Sequence, residues 1–277
     1  MRLRFALFTA AGLLGAAAPL AQAQQAPSPY TTRFAVDAPI TVGLAGVNAL
    51  GLYLIQQKTG LTEAEVAALS KSDVPRFDRF LAGNYDEQAR TNSDYLFAGS
   101  LVAAPVALVL NPSSRRRYGQ VMGLYVQSVA VTGALFTMTA GTVYRSRPLT
   151  YSEQASNSQR TRKNATNSFF AGHTATTATA TFFAAKVFHD FNPDSPARPY
   201  VWGVAAAIPA AVGYYRSQAG KHFLSDNLVG YTVGAAAGIL VPQLHKKASR
   251  LGVSVAPVQG VNVNGYSYGG FAFTKQL

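Results

Sequence analysis

Cysteine is absent from the 277-residue chain, and its absence removes disulfide staples, thiolate nucleophiles and thiolate metal sites at once. Acidic residues are scarce too, twelve against 24 Lys and Arg, and there are four histidines. Two of these, His189 and His245, have no carboxylate or histidine partner at ligand spacing. The acids between Lys58 and Asp94 form no calcium loop, so no metal and no other cofactor is expected. No internal repeat is visible. Apolar residues, by contrast, make up 48% of the chain, enough to bury a sizeable core and to exclude a disordered chain.

The start, "MRLRFALFTAAGLLGAAAPLAQAQQA", has basic Arg2 and Arg4, an apolar centre and Ala21-Gln22-Ala23 before Gln24. That pattern is a secretory signal over residues 1–23 and makes the protein an exported one. Without Arg2 and Arg4 the formal charge of +12 becomes +10, with 22 basic residues against 12 acidic. Such an excess suits an anionic partner, and in an exported chain nucleic acid is not the partner expected.

Six stretches lack Lys, Arg, Asp and Glu: Ala38 to Gln57, Tyr95 to Ser114, Tyr118 to Tyr144, Asn164 to Ala185, Pro199 to Tyr215 and Asn227 to Leu244. A bilayer core of about 30 Å needs roughly 20 apolar residues in a helix. Tyr118 to Tyr144 meets that easily, whereas the last two stretches are marginal and all six are diluted by Ala, Gly and Thr. Mean hydropathy is +0.09, so membrane helices and the buried core of a soluble bundle both remain open. The expected fold is all-α, a bundle of five to six apolar helices, with a short C-terminal β-hairpin signalled by Asn264-Gly265 in "VNVNGYSY".

Arg115, Arg116 and Arg117 follow the second stretch, and Lys246, Lys247 and Arg250 follow the sixth. With both clusters in the cytoplasm, the segments around Arg147, His173 and Arg216 face outward. A cleaved signal conflicts with this, because Ala38 to Gln57 then cannot cross without inverting every later span. The site therefore faces the periplasm from an inner-membrane protein, or the protein is soluble in the periplasm. The chain divides into the signal, an N-terminal helical and polar segment (24–94), a helical domain (95–244) and a basic tail with the hairpin (245–277). Between Lys58 and Asp94, seven of the twelve acids lie in what reads as a solvated segment, with Thr62 and Glu65 spaced as a capping box.

Three short segments carry residues suited to phosphate. In "YRSRPLT", Arg145 and Arg147 follow the longest apolar stretch and Pro148 stops its helix; an arginine there can grip a phosphate with two parallel hydrogen bonds. In "NSFFAGHTATTATATFF", Gly172 and His173 begin an apolar helix that Asn167 or Ser168 caps. Free amides at such a start bind anions, glycine lets a ligand approach, and the histidine can protonate a leaving oxygen. In "RSQAGKHFLSD", His222 and Asp226 are four apart. On a helix they are neighbours, so the carboxylate can take one ring N–H and free the other nitrogen as a nucleophile. Gly230, Gly234 and Gly238 then form a small-residue track for a neighbouring helix.

In this order the three segments resemble the phosphatidic acid phosphatase type 2 and vanadium haloperoxidase superfamily, whose motifs are K-x6-R-P, P-S-G-H and S-R-x5-H-x3-D. They match it in Arg147-Pro148, in Gly172-His173, and in Arg216, His222 and Asp226 with the full third spacing. The resemblance implies a helical bundle and a phosphohistidine mechanism. His222 would attack phosphorus, Asp226 would orient it, His173 would protonate the leaving group, and Arg147, Arg216 and Gly172 would bind phosphate. Two departures stand out, since the family lysine falls on Ala140 and the family serine on Ala171. Arg145, Lys221 and Lys163 are the candidate replacements, the last in the polar loop "SEQASNSQRTRKN". The implied activity is hydrolysis of a phosphomonoester or diphosphate, with a membrane lipid as the anionic substrate. A nonspecific periplasmic acid phosphatase and a weakly active or non-catalytic phosphate-binding protein are the alternatives, and a haloperoxidase ranks last.

Overall fold

The computed structural model describes residues 28–247, 253–261 and 265–275. The expected signal at 1–23 lies outside the described residues, as does Asn264 of the expected turn.

Six long helices match the six stretches free of charge: α1 (Phe34–Gln57), α3 (Glu87–Leu110), α5 (Tyr118–Thr142), α7 (Gly172–Phe191), α8 (Arg198–Gln218) and α9 (Leu224–Leu244). Three short helices, α2 (Glu63–Ala68), α4 (Pro112–Arg115) and α6 (Asn157–Arg160), lie in the connections. The chain ends in an antiparallel pair, β1 (Val253–Val261) and β2 (Ser267–Lys275), with Gly265 at positive φ in the link. The structure is thus the expected helical bundle with a C-terminal hairpin.

Helix α7 forms the centre, packed against α9, α8, α3 and α5, while α1 lies outside against α5. This explains the dilution by small residues. Most of α7 is buried, and its threonines return their hydroxyls to the preceding turn, as Thr179 does to Ala175 O at 2.9 Å and Thr181 to Thr177 O at 3.1 Å. A polar residue satisfied this way can sit in a core and still let backbones approach. The glycines of α9 use that proximity, with Gly230, Gly234 and Gly238 lying on the backbone of α7 at Ala171, Ala175 and Thr179.

Helices α1, α3, α5 and α9 are long and apolar enough to cross a membrane. Their outward faces carry Val42, Leu50, Tyr53, Val102, Val106, Leu110, Leu135 and Leu240, all exposed. An apolar belt of that extent suits lipid rather than water.

The six long helices alternate between two ends. At one, Tyr30 is buried and donates to Asp190 Oδ2 at 2.8 Å, beside Lys186 and Lys246 at 2.6 Å from the same carboxylate. At the other, α1, α5 and α8 end and α3, α7 and α9 begin, and the three motif segments gather there. The segment before α3 departs from the solvated reading. Its capping box forms, with Glu65 taking the Thr62 N–H at 2.7 Å. Beyond it, Val74, Leu81 and Ala82 bury themselves against Phe223. Three apolar residues among many polar ones suffice to dock the segment.

Candidate active site

Helix α5 stops at Thr142, five residues before Arg147, so Pro148 opens a short 3-10 turn (Pro148–Tyr151) rather than ending the helix. The last carbonyls are met by Lys58, whose buried Nζ donates to Ala140 O at 2.9 Å and Val143 O at 2.8 Å. A cation on the last carbonyls of a helix satisfies groups the helix cannot. Burial, and then the charge of Arg147, push this ammonium down to about 8. The following strand of chain runs beside residues 165–168, with Arg145 N on Thr166 O, Arg147 N on Ala165 O and Ser168 N on Arg145 O. That pairing sets Arg147 against Asn167 O, at 3.4 Å from both Nε and Nη2.

Helix α7 begins at Gly172 after Ala171, and no side chain caps it. Ser168 does not serve as the expected cap, because its hydroxyl donates to Asp226 Oδ2 at 2.6 Å. The first amides of α7 are left to an external acceptor, the arrangement that favours anions. At Gly172 a Cβ would come within 2.7 Å of the Phe136 ring, so a side chain here would have to push that ring aside.

Helix α9 starts only at Leu224, which places His222 ahead of it and overturns the expected helical pairing of His222 with Asp226. The turn between α8 and His222 needs Gly220, at φ +66°. His222 is 3% exposed, and its Nδ1 lies 2.6 Å from the carbonyl oxygen of Ser168. A carbonyl only accepts, so Nδ1 carries the proton and Nε2 keeps its lone pair. Burial, and then the charges of Arg147 and Arg216, hold this imidazole well below its usual range. It is therefore neutral at neutral pH. Asp226, fully buried, accepts from Ser168 Oγ, from Phe223 N at 2.8 Å and from Arg145 Nη1. It acts on His222 through Ser168, at one remove.

A cavity of about 550 Å³ opens at this end, lined by Arg147, His173, Arg216 and Lys221 together with Arg90, Asp94 and others. His173 Nε2 lies 3.3 Å from Asp94 Oδ1, and Arg216 Nη1 reaches the same oxygen at 3.1 Å. The Nε of Arg216 is buried without a hydrogen-bond partner among the described residues. A buried guanidinium N–H left in this way is open to a water or an anion. Burial, and then Arg147 and Arg216, push the Lys221 ammonium down to about 8.

Of the candidate replacements for the absent lysine and serine, Lys221 lines the cavity but the other two do not. Arg145 turns behind the site, between Asp226 and Asp78. Lys163 points to Gln56 O at 3.4 Å. In their place stand Arg162, from the loop that holds Lys163, and Arg90. Neither Arg90 nor Asp94 was foreseen. Their only sequence signal is the spacing Glu87, Arg90, Asp94, which on the first turns of α3 puts all three on one face.

A family model described as the PAP2 superfamily matches residues 122–250, the span from α5 to just past α9. No curated protein and no solved structure matches the chain.

Proposed function

From the chain's membership of the PAP2 superfamily over residues 122–250, we propose that it is a phosphatase that hydrolyses a phosphomonoester or diphosphate, carried by a lipid, through a phosphohistidine. The observation that carries this reading is a buried, neutral His222 with its Nε2 unprotonated, lying within the fields of Arg147, Arg216 and His173, which line the cavity although His222 itself does not.

In the first step His222 Nε2 attacks phosphorus, the bond to the leaving oxygen breaks, and His173 gives that oxygen its proton; burial and then the charge of Arg216 push this imidazole down to about 4, so its protonation rests on Asp94 and on the negative charge of the bound substrate. Arg147, Arg216 and the first amides of α7 hold the equatorial oxygens, where charge gathers in the transition state. Arg90, Arg162 and Lys221 add positive charge at the wall. In the second step His173 takes a proton from water, the water oxygen attacks phosphorus, the N–P bond breaks and phosphate leaves. Ser168, held by Asp226, keeps the His222 ring in the required tautomer throughout.

The lipid part of the reading rests on position. The cavity lies where apolar helices end, so a headgroup can enter while its chains stay beside the outer helix faces. The end opposite the site carries Arg115, Arg116, Arg117 and Lys246, and with that end cytoplasmic the site faces the periplasm. The catalytic unit then reaches beyond 122–250, taking in the start of α3. The test is phosphate release by purified protein in detergent from a prenyl diphosphate and from p-nitrophenyl phosphate. Release from the first with little from the second supports a lipid phosphatase, equal release supports a nonspecific one, and release from neither overturns the reading.

A further inference from the structure

We propose that Asp78, in the segment joining α1 to α3 and outside 122–250, is a positioning residue for His222 that acts through Arg145 and Asp226. The inference rests on the phosphohistidine reading above. Asp78 is 2% exposed although it belongs to a polar, acid-rich segment. Its Oδ1 accepts Ser225 N at 2.9 Å, and its Oδ2 accepts Ser225 Oγ at 2.6 Å and Arg145 Nη2 at 2.7 Å. Arg145 continues to Asp226, Asp226 to Ser168 Oγ, and the Ser168 carbonyl to His222 Nδ1.

The effect is to fix His222 from both sides. Before it, the ring is held by Ser168. After it, Phe223 sits against Val74, Leu81 and Ala82 with the Arg145 guanidinium 4.7 Å from its ring centre. Asp78 and Asp226 then supply the acceptors for two amides at the start of α9, those of Ser225 in its first turn and of Phe223 just before it. A half-buried arginine between two buried carboxylates is a poor way to gain stability, since desolvation offsets the attraction. It is an effective way to hold a group in one geometry, and a nucleophile needs that. Burial raises the Asp78 carboxyl, but the Ser225 hydrogen bonds and Arg145 outweigh it and keep the group below its ordinary value. The carboxylate is therefore ionised at working pH.

The test compares Asp78→Asn, Arg145→Met and the double variant, using turnover of a prenyl diphosphate in detergent and product inhibition by inorganic phosphate as a probe of the phosphate cradle. Asp78→Asn should lower kcat by about 10- to 100-fold, the scale set by small misplacements of a reacting group, with KM and phosphate inhibition unchanged within about threefold. In the Arg145→Met background it should cost little more, because residues in one relay do not add. A kcat like wild type, a loss that multiplies in the double variant, or phosphate inhibition that weakens in step with kcat overturns the inference. Should Asp78→Asn not fold, Ser225→Ala, which deletes only the bridging hydroxyl, must show the same kcat-only loss, and a wild-type kcat there overturns the inference too. Wild type that releases no phosphate sinks the phosphatase reading and this inference together. Active wild type with an indifferent Asp78→Asn sinks this inference alone.

Discussion

Replacing Gly234 by alanine tests whether the seam between α7 and α9 sets the distance between the two histidines. A Cβ at this position would lie 1.9 Å from Ala175 O, 2.7 Å from its carbonyl carbon and 2.9 Å from its Cα. All three are backbone atoms of a central helix, so none can rotate aside. Ordinary contact begins near 3.4 Å, and the helices must therefore part by roughly 1.5 Å at the seam. The strain is worth about 1–3 kcal/mol, partly offset by the roughly 1 kcal/mol that alanine gains over glycine in a helix. The larger effect falls on chemistry. Ala175 is two residues from His173, and α9 begins two residues after His222, so separation of the helices separates acid from nucleophile. A misplacement of about 1 Å costs around 100-fold in rate. Gly234→Ala should therefore lose about 100-fold in kcat on a prenyl diphosphate while its thermal unfolding in detergent falls only a few degrees. Gly203→Ala, where a Cβ meets nothing within 4 Å, serves as control and should match wild type in both. Gly234→Ala with a kcat within about threefold of wild type would refute the reasoning.

Two further outcomes follow from the lysines. Lys58→Met removes the donor from the buried Ala140 carbonyl and should cost about 1–3 kcal/mol of stability, read as a lower unfolding midpoint; an unchanged midpoint contradicts the capping role. Lys221, lowered to about 8, is charged below that pH and neutral above it. KM for an anionic substrate should thus rise as pH passes from 7 to 9, and Lys221→Arg, which stays charged, should abolish the rise. A KM that is flat with pH in wild type would remove Lys221 from substrate binding.

The helices were legible because runs without charge have to be buried or placed in lipid, and each of the six became a helix. The hairpin was legible for a local reason, the glycine at positive φ in its link. Motif order brought Arg147, His173, Arg216 and His222 to one end, since alternating helices return every second connection to the same place. Spacing misled where a helix boundary intervened. His222 and Asp226 are four positions apart, but α9 starts between them, so the carboxylate meets Ser168 instead. Contacts over long separations left no trace in the sequence. Asp78 reaches Ser225 across 147 positions, and Arg145, charged and beside the first motif, is claimed by two carboxylates rather than by the cavity. Lys58 caps α5 from 82 positions away, which no pattern within α5 announces.

The most direct measurement asks whether His222 carries the phosphoryl group. Purified protein is mixed with a substrate labelled in its terminal phosphoryl group, quenched in alkali before one turnover is complete, and the label on the denatured chain is located by peptide mapping. Phosphohistidine withstands alkali and is lost in acid, so the quench preserves it. The account predicts a label on the peptide containing His222 in wild type and none in His222→Asn, which also releases no phosphate. Turnover by wild type without a labelled chain, or equal labelling and release by His222→Asn, would contradict it.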